Sequence, residues 1–136
     1  MGKLISVMAA VAGMVVGGVG VAGAEAGDDG RLYGVIVMDR GDSSHVVSAV
    51  NYPSWEDAEV SARGVCDRPD CVVVARFVDE CASLAVTGRD KRGRSGDYRV
   101  RIAATAQEAE AAAVAAAGEL GPGPVQARTY CTGEQG

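Results

Sequence analysis

Histidine and aromatic side chains are scarce in this 136-residue chain, which has one His, one Trp, one Phe and four Tyr. A lone imidazole, His45, leaves a histidine-based zinc hydrolase site unsupported, because such sites gather two or three rings on one metal. No phosphate-cradling glycine loop followed by Lys and Ser or Thr occurs, although the chain holds 19 glycines. No Cys-x-x-Cys occurs either, and the spacing Cys66-x4-Cys71-x9-Cys81 fits no standard zinc finger. Lysine is confined to Lys3 and Lys91, and acidic residues outnumber basic ones, 18 to 13. A net charge of −5 opposes binding to nucleic acid or anionic lipid through the field of the whole molecule.

What is present begins with a leader. Lys3 supplies a positive start, the segment from Leu4 to Val21 is uncharged and apolar, and Ala22-Gly23-Ala24 offers the small residues that signal peptidase needs. Cleavage is expected after Ala24, with Ala26 as the near alternative. A membrane anchor fits less well, because five glycines (13, 17, 18, 20 and 23) dilute residues 4–24 and no basic stop-transfer cluster follows. No cysteine lies near the cleavage point to receive a lipid. Residues 1–24 are therefore read as a signal peptide, 25–30 as a disordered start, 31–132 as one domain and 133–136 as a tail. Without Lys3, 12 basic residues face 18 acidic ones. The trimmed chain is long enough for one modest core.

Two stretches repeat the same order of signals about fifty residues apart. Val46–Val50 leads through Asn51-Tyr52-Pro53 to Ser54 and Asp57, then to Val72–Val78; Tyr98–Ala103 leads to Thr105 and Glu108, then to Val125–Tyr130. Ser54 with Asp57 and Thr105 with Glu108 match capping boxes, so a helix is expected over about 54–65 and another over about 105–117. The first should bury Trp55, Ala58, Ala62 and Val65. The second is nearly all alanine and must pack close to its sheet, with Gly118 as a left-handed stop. Leu32–Met38 and Ser44–Tyr52 flank the turn-prone Asp39-Arg40-Gly41-Asp42 and should form a hairpin. Cys81–Val86 and Gly96–Ala103 form the corresponding pair, with Tyr98, Val100 and Ile102 on a buried face and Arg99 and Arg101 on a wet one. The fold class is α+β: duplicated strand-strand-helix-strand units, mainly antiparallel, carrying two helices.

Cys66, Cys71, Cys81 and Cys131 all follow the leader, so structural disulfides formed after export are expected. Four cysteines allow three connectivities. The turn-prone Asp67-Arg68-Pro69-Asp70 favours a local Cys66–Cys71 link, which pairs Cys81 with Cys131 and would tie the two halves together.

Chemistry has few places to reside. Asp42-Ser43-Ser44-His45 gathers triad residue types, but neighbours on one strand point to opposite faces, so His45 is read as a solvent-facing hairpin residue. Glu56, Asp57 and Glu59 sit in a helix's first turn, where they favour its dipole. Asp79-Glu80 are adjacent acids, which rarely face one cleft. Arg89, Lys91, Arg92 and Arg94 form a basic cluster in an acidic protein and are the candidate interaction loop, without the interleaved aromatics of a single-strand nucleic-acid platform.

Tyr33-Gly34-Val35-Ile36, Asn51-Tyr52-Pro53-Ser54, the run from Cys66 to Phe77, Cys81-Ala82-Ser83-Leu84-Ala85 and Tyr130-Cys131 together resemble the domain of unknown function 4189, small exported bacterial proteins. The resemblance spans about residues 31–132 and implies export and a compact disulfide-linked domain; it carries no catalytic residues. The chain departs from it in polar Ser43-Ser44-His45 and in the alanine-rich second helix. The expected function is a secreted, non-catalytic binding module of the cell envelope or extracellular space. Its partner would be another protein or an envelope component, with no nucleic acid, no membrane after leader removal, and no cofactor or metal. The alternatives are a protease inhibitor or bait presenting residues 89–95, and a small secreted hydrolase.

Overall fold

The computed structural model describes residues 19–22, 29–88 and 97–133. Its elements run β1 (Val19–Ala22), β2 (Tyr33–Asp39), β3 (Asp42–Tyr52), α1 (Trp55–Cys66), β4 (Cys71–Val78), β5 (Cys81–Val86), β6 (Tyr98–Ala103), α2 (Ala106–Gly118) and β7 (Gln126–Cys131). The units β2-β3-α1-β4 and β5-β6-α2-β7 repeat one topology. In each, the first strand is central, the second pairs on one side and the strand after the helix returns antiparallel on the other, giving β3-β2-β4 and β6-β5-β7. Each unit builds its own sheet. The expected α+β class and duplicated order of elements are thus present.

Alternation along the strands sets the layers. Val35, Val37, Val47 and Ala49 face α1, where they meet Ala58, Ala62 and Cys66. Their neighbours Ile36, Met38, Val46 and Val50 face the other way and, with Phe77, meet Ala82 and Leu84 of the second sheet. On the far side of that sheet, Ala85 packs on Ala113 and Ala117, and Cys81 on Ala109. The stack is helix, sheet, sheet, helix. Gly34 permits its closest approach, since a Cβ there would lie 2.7 Å from Cζ of the fully buried Phe77 and 3.2 Å from Cγ2 of Thr132.

Both helices start as their capping residues dictate. The Ser54 hydroxyl accepts from the Asp57 amide at 3.1 Å and the Thr105 hydroxyl from the Glu108 amide at 3.2 Å. Ends and faces differ from expectation. The first helix buries Ala58, Ala62 and Cys66, while Trp55 and Val65 are 37% and 40% exposed. Its left-handed cap is Asp67, at φ 50° and ψ 44°. Gly118 is not a left-handed stop; it lies inside α2, whose cap Glu119 is right-handed helical. Tyr98 and Ile102 are 36% and 43% exposed rather than buried, because β6 is the outermost strand of its sheet.

Cys66 is bonded to Cys71 and Cys81 to Cys131. Neither bond joins the halves. Cys81 opens β5 and Cys131 closes β7, and the two are partners in one antiparallel ladder. The halves are joined instead by the Asp79-Glu80 connection, the inter-sheet core and Asn51. Asn51 takes φ 67° at a register shift in the β2–β3 ladder, and its side chain accepts from the Gly133 amide at 2.7 Å and donates to the Gly133 carbonyl at 3.4 Å.

Candidate functional site

The two sheets leave a cleft of about 360 Å³ between the β2–β3 hairpin and the start of β6. Met38 and Val72 bring apolar surface from the first sheet, Arg40 and Ser43 come from the hairpin, and Asp97 and Tyr98 from the second sheet. Tyr98 opens β6, the outermost strand of its sheet among the described residues. The hairpin turn is fixed by its own aspartates: Asp39 Oδ1 accepts from the Gly41 amide at 2.8 Å and Asp42 Oδ1 from the Ser44 amide at 3.1 Å. The Arg40 amide donates to the Asp70 carbonyl at 3.0 Å, anchoring the turn to the segment before β4.

Beside the cleft one guanidinium is shared by two carboxylates. Arg68 lies 3.0 Å from Asp39 and 3.6 Å from Asp42. The Arg68 guanidinium, and then the Gly41 amide, hold the Asp39 carboxyl below the usual range. Hydrogen bonds from the Ser44 hydroxyl and amide do the same for Asp42. Both carboxylates are ionised and engaged, which suits them to structure rather than to proton transfer. The cleft is lined by a cation, a carboxylate and a phenol beside apolar Met38 and Val72, a mainly polar lining suited to an amphipathic group.

The other candidate residues are dispersed. His45 is not simply solvent-facing; it is partly buried, with Nε2 3.0 Å from the Cys66 carbonyl at the end of α1. Asp79 accepts from the Leu32 amide at 3.0 Å and pairs with Arg31 at 3.2 Å, and Glu59 pairs with Arg76 at 2.6 Å. Glu56 and Asp57 occupy the first turn of α1. Trp55 donates from Nε1 to the Phe77 carbonyl at 3.0 Å and meets Tyr33 edge to face at 5.1 Å, so it anchors the helix start from outside the core. Arg89, Lys91, Arg92 and Arg94 lie outside the described residues. Among the described residues, no three His, Cys, Asp or Glu side chains could hold a metal ion, and no helix is long and apolar enough to cross a membrane.

Neither the place of Tyr98 in the cleft nor that of Asn51 between the halves is expected from the sequence. An aromatic at an edge-strand start and an asparagine just before Tyr-Pro were the available signals. No curated protein and no solved structure matches the chain. A family model described as Domain of unknown function (DUF4189) matches residues 33–131, from the first strand of the first unit to the last cysteine, and with it both disulfides and both halves of the stack. The chain therefore belongs to the DUF4189 family.

Proposed function

We propose that this protein is an exported, non-catalytic binding module of the cell envelope or extracellular space, and that the cleft at the open end of the stack is where it holds its partner. The observation that carries this reading is the lining of that cleft, where Met38 and Val72 lie beside Arg40, Asp97 and Tyr98. Two disulfides suit an oxidising compartment, and the apolar leader with its Ala22-Gly23-Ala24 end supplies a route there. The acidic balance of the chain turns the choice of partner toward a protein or envelope component and away from nucleic acid.

The test uses the exported protein and its Tyr98→Ala variant as paired baits on envelope and culture fractions. A partner retained by the first and lost by the second, with the variant's melting temperature unchanged, is the expected result. Reproducible turnover of a substrate without any retained partner would overturn the reading.

A further inference from the structure

A sheet edge exposes unpaired amides and carbonyls, and folded proteins close such edges with charge, proline or covering side chains. Two edges here are closed in that way. On β4, Arg63 Nη1 donates to the Cys71 carbonyl at 2.9 Å and Trp55 Nε1 to the Phe77 carbonyl at 3.0 Å, so α1 covers both ends of the strand. On β6, the Asp97 carbonyl turns inward to the Thr87 amide, so the next carbonyl turns outward. The Arg99 and Arg101 guanidinium groups fold back onto the Tyr98 and Val100 carbonyls at 2.9 and 2.7 Å.

The outer edge of β3 is treated differently. Val46-Val47-Ser48-Ala49-Val50 contains no charge and no proline, and it belongs to an 11-residue strand, the longest of the described residues. Backbone covers it: Val19–Ala22 pairs parallel with Val47–Val50 in continuous register. Those four residues lie inside the segment that leader cleavage after Ala24 would remove. We propose that the outer edge of β3 is a strand-acceptor site, covered by the leader until it is cleaved and then filled by an extended, uncharged segment of a partner protein with small or β-branched residues. This rests on the leader removal proposed above. The four residues seated there read Val-Gly-Val-Ala in the sequence, and their backbone shows that the edge accepts a parallel strand. Its parallel direction favours a separate peptide over a second copy of this chain, because a two-fold pairing of β3 with itself would be antiparallel.

The experiment uses the exported protein, its start located by intact mass, and a capped peptide of residues 17–24 as probe. Two further peptides are methylated on the backbone nitrogens of Val19 and Val21, or of Gly20 and Ala22. Alternate amides of a strand point to opposite sides, so one pattern removes donors facing β3 and the other leaves them intact. The unmodified peptide should slow amide exchange within residues 47–50 about tenfold when about nine-tenths of the edge is filled, with one methylated peptide equally effective and the other inert. Equal behaviour of the two methylated peptides would overturn strand addition. A dimer in sedimentation with residues 47–50 already protected would overturn the partner segment in favour of a second copy. A mass that still includes Val19–Ala22 overturns the leader reading and the vacancy with it, whereas a trimmed chain whose edge ignores the peptide overturns the acceptor site alone.

Discussion

The two halves follow one topology with different chemistry. In the first, α1 is tied to its sheet by polar contacts: Trp55 to the Phe77 carbonyl, Arg63 to the Cys71 carbonyl, and the Ser61 hydroxyl to Tyr52 Oη at 2.8 Å. In the second, α2 presents Ala109, Ala113, Ala116 and Ala117 and is held by close apolar approach after its Thr105 cap. The first sheet is rich in buried valine; the second contributes Ala82, Leu84 and Ala85. The order of strands is therefore compatible with quite different helix-sheet contacts, provided that caps start the helices and alternation orients the strands.

The largest expected contrast lies in the disulfides. Replacing Cys81 and Cys131 together with Ala releases a loop with a sequence separation of 50, against 5 for Cys66 and Cys71. On the loop-entropy model the costs are about 4 and about 2 kcal/mol. Urea unfolding of the two double variants should rank them in that order, and the reverse order would show that the local staple of the first half dominates. Non-reducing peptide mapping checks the pairing itself.

Contact between the halves comes next. Gly34→Ala forces a Cβ against Phe77 at the inter-sheet junction and should cost about 1–3 kcal/mol, as overpacking does. A smaller loss in Gly34→Ala combined with Phe77→Leu, relative to Phe77→Leu alone, would locate the strain at that ring. Asn51 can be dissected further. Asn51→Gly keeps the positive φ and loses the clamp on Gly133, for about 1 kcal/mol. Asn51→Ala should lose more, since it adds left-handed strain; equal losses in chemical denaturation would remove backbone strain from the account.

The smallest effect is acid sensitivity in the first half. Asp39 and Asp42 have lowered carboxyl values, through Arg68 and through Ser44 respectively, and Asp29 is lowered by its bond from the Tyr33 hydroxyl. A lowered folded value contributes stability that is complete above the ordinary carboxylate value of about 3.9 and is lost as pH falls through the folded value. Stability from these groups should stay flat between about pH 7 and pH 5 and decline below about pH 4. In hydrogen exchange under acid, amides of β2 and β3 should open before those of β5; simultaneous opening would mean that the halves unfold as one unit. At the alkaline end, burial raises the Tyr130 phenol, with the nearby Arg128 opposing, and the Asp29 bond raises Tyr33. Their contributions are lost as pH rises through those raised values.

The duplicated order was legible because it rests on local signals: Ser54 and Thr105 as caps, the Asp39–Asp42 turn, and alternation in the strands. Which helix face is buried was less so. Cys66, rather than Val65, continues the buried face of Ala58 and Ala62 at a spacing of four and bonds to Cys71, and Trp55 serves through its indole N–H rather than its area. Tyr98 and Ile102 alternate correctly but lie at a sheet edge, and edge position is a tertiary property that alternation does not encode. The cleft escaped for the same reason: Val72 and Tyr98 are 26 positions apart in the chain and meet only when two sheets face each other. The role of the Cys81–Cys131 bond was misjudged because Cys81 opens a strand of the second unit rather than closing one of the first.

That each cross-link stays within its own half has a consequence for the chain as a polymer. A single peptide cut between Asp79 and Glu80 would produce two separately stapled pieces with no covalent tie, held by the apolar core between the sheets and by the grip of Asn51 on Gly133. The intact protein is in this sense a tethered pair of half-length chains, and its two-residue connection sets the local concentration at which the halves find each other.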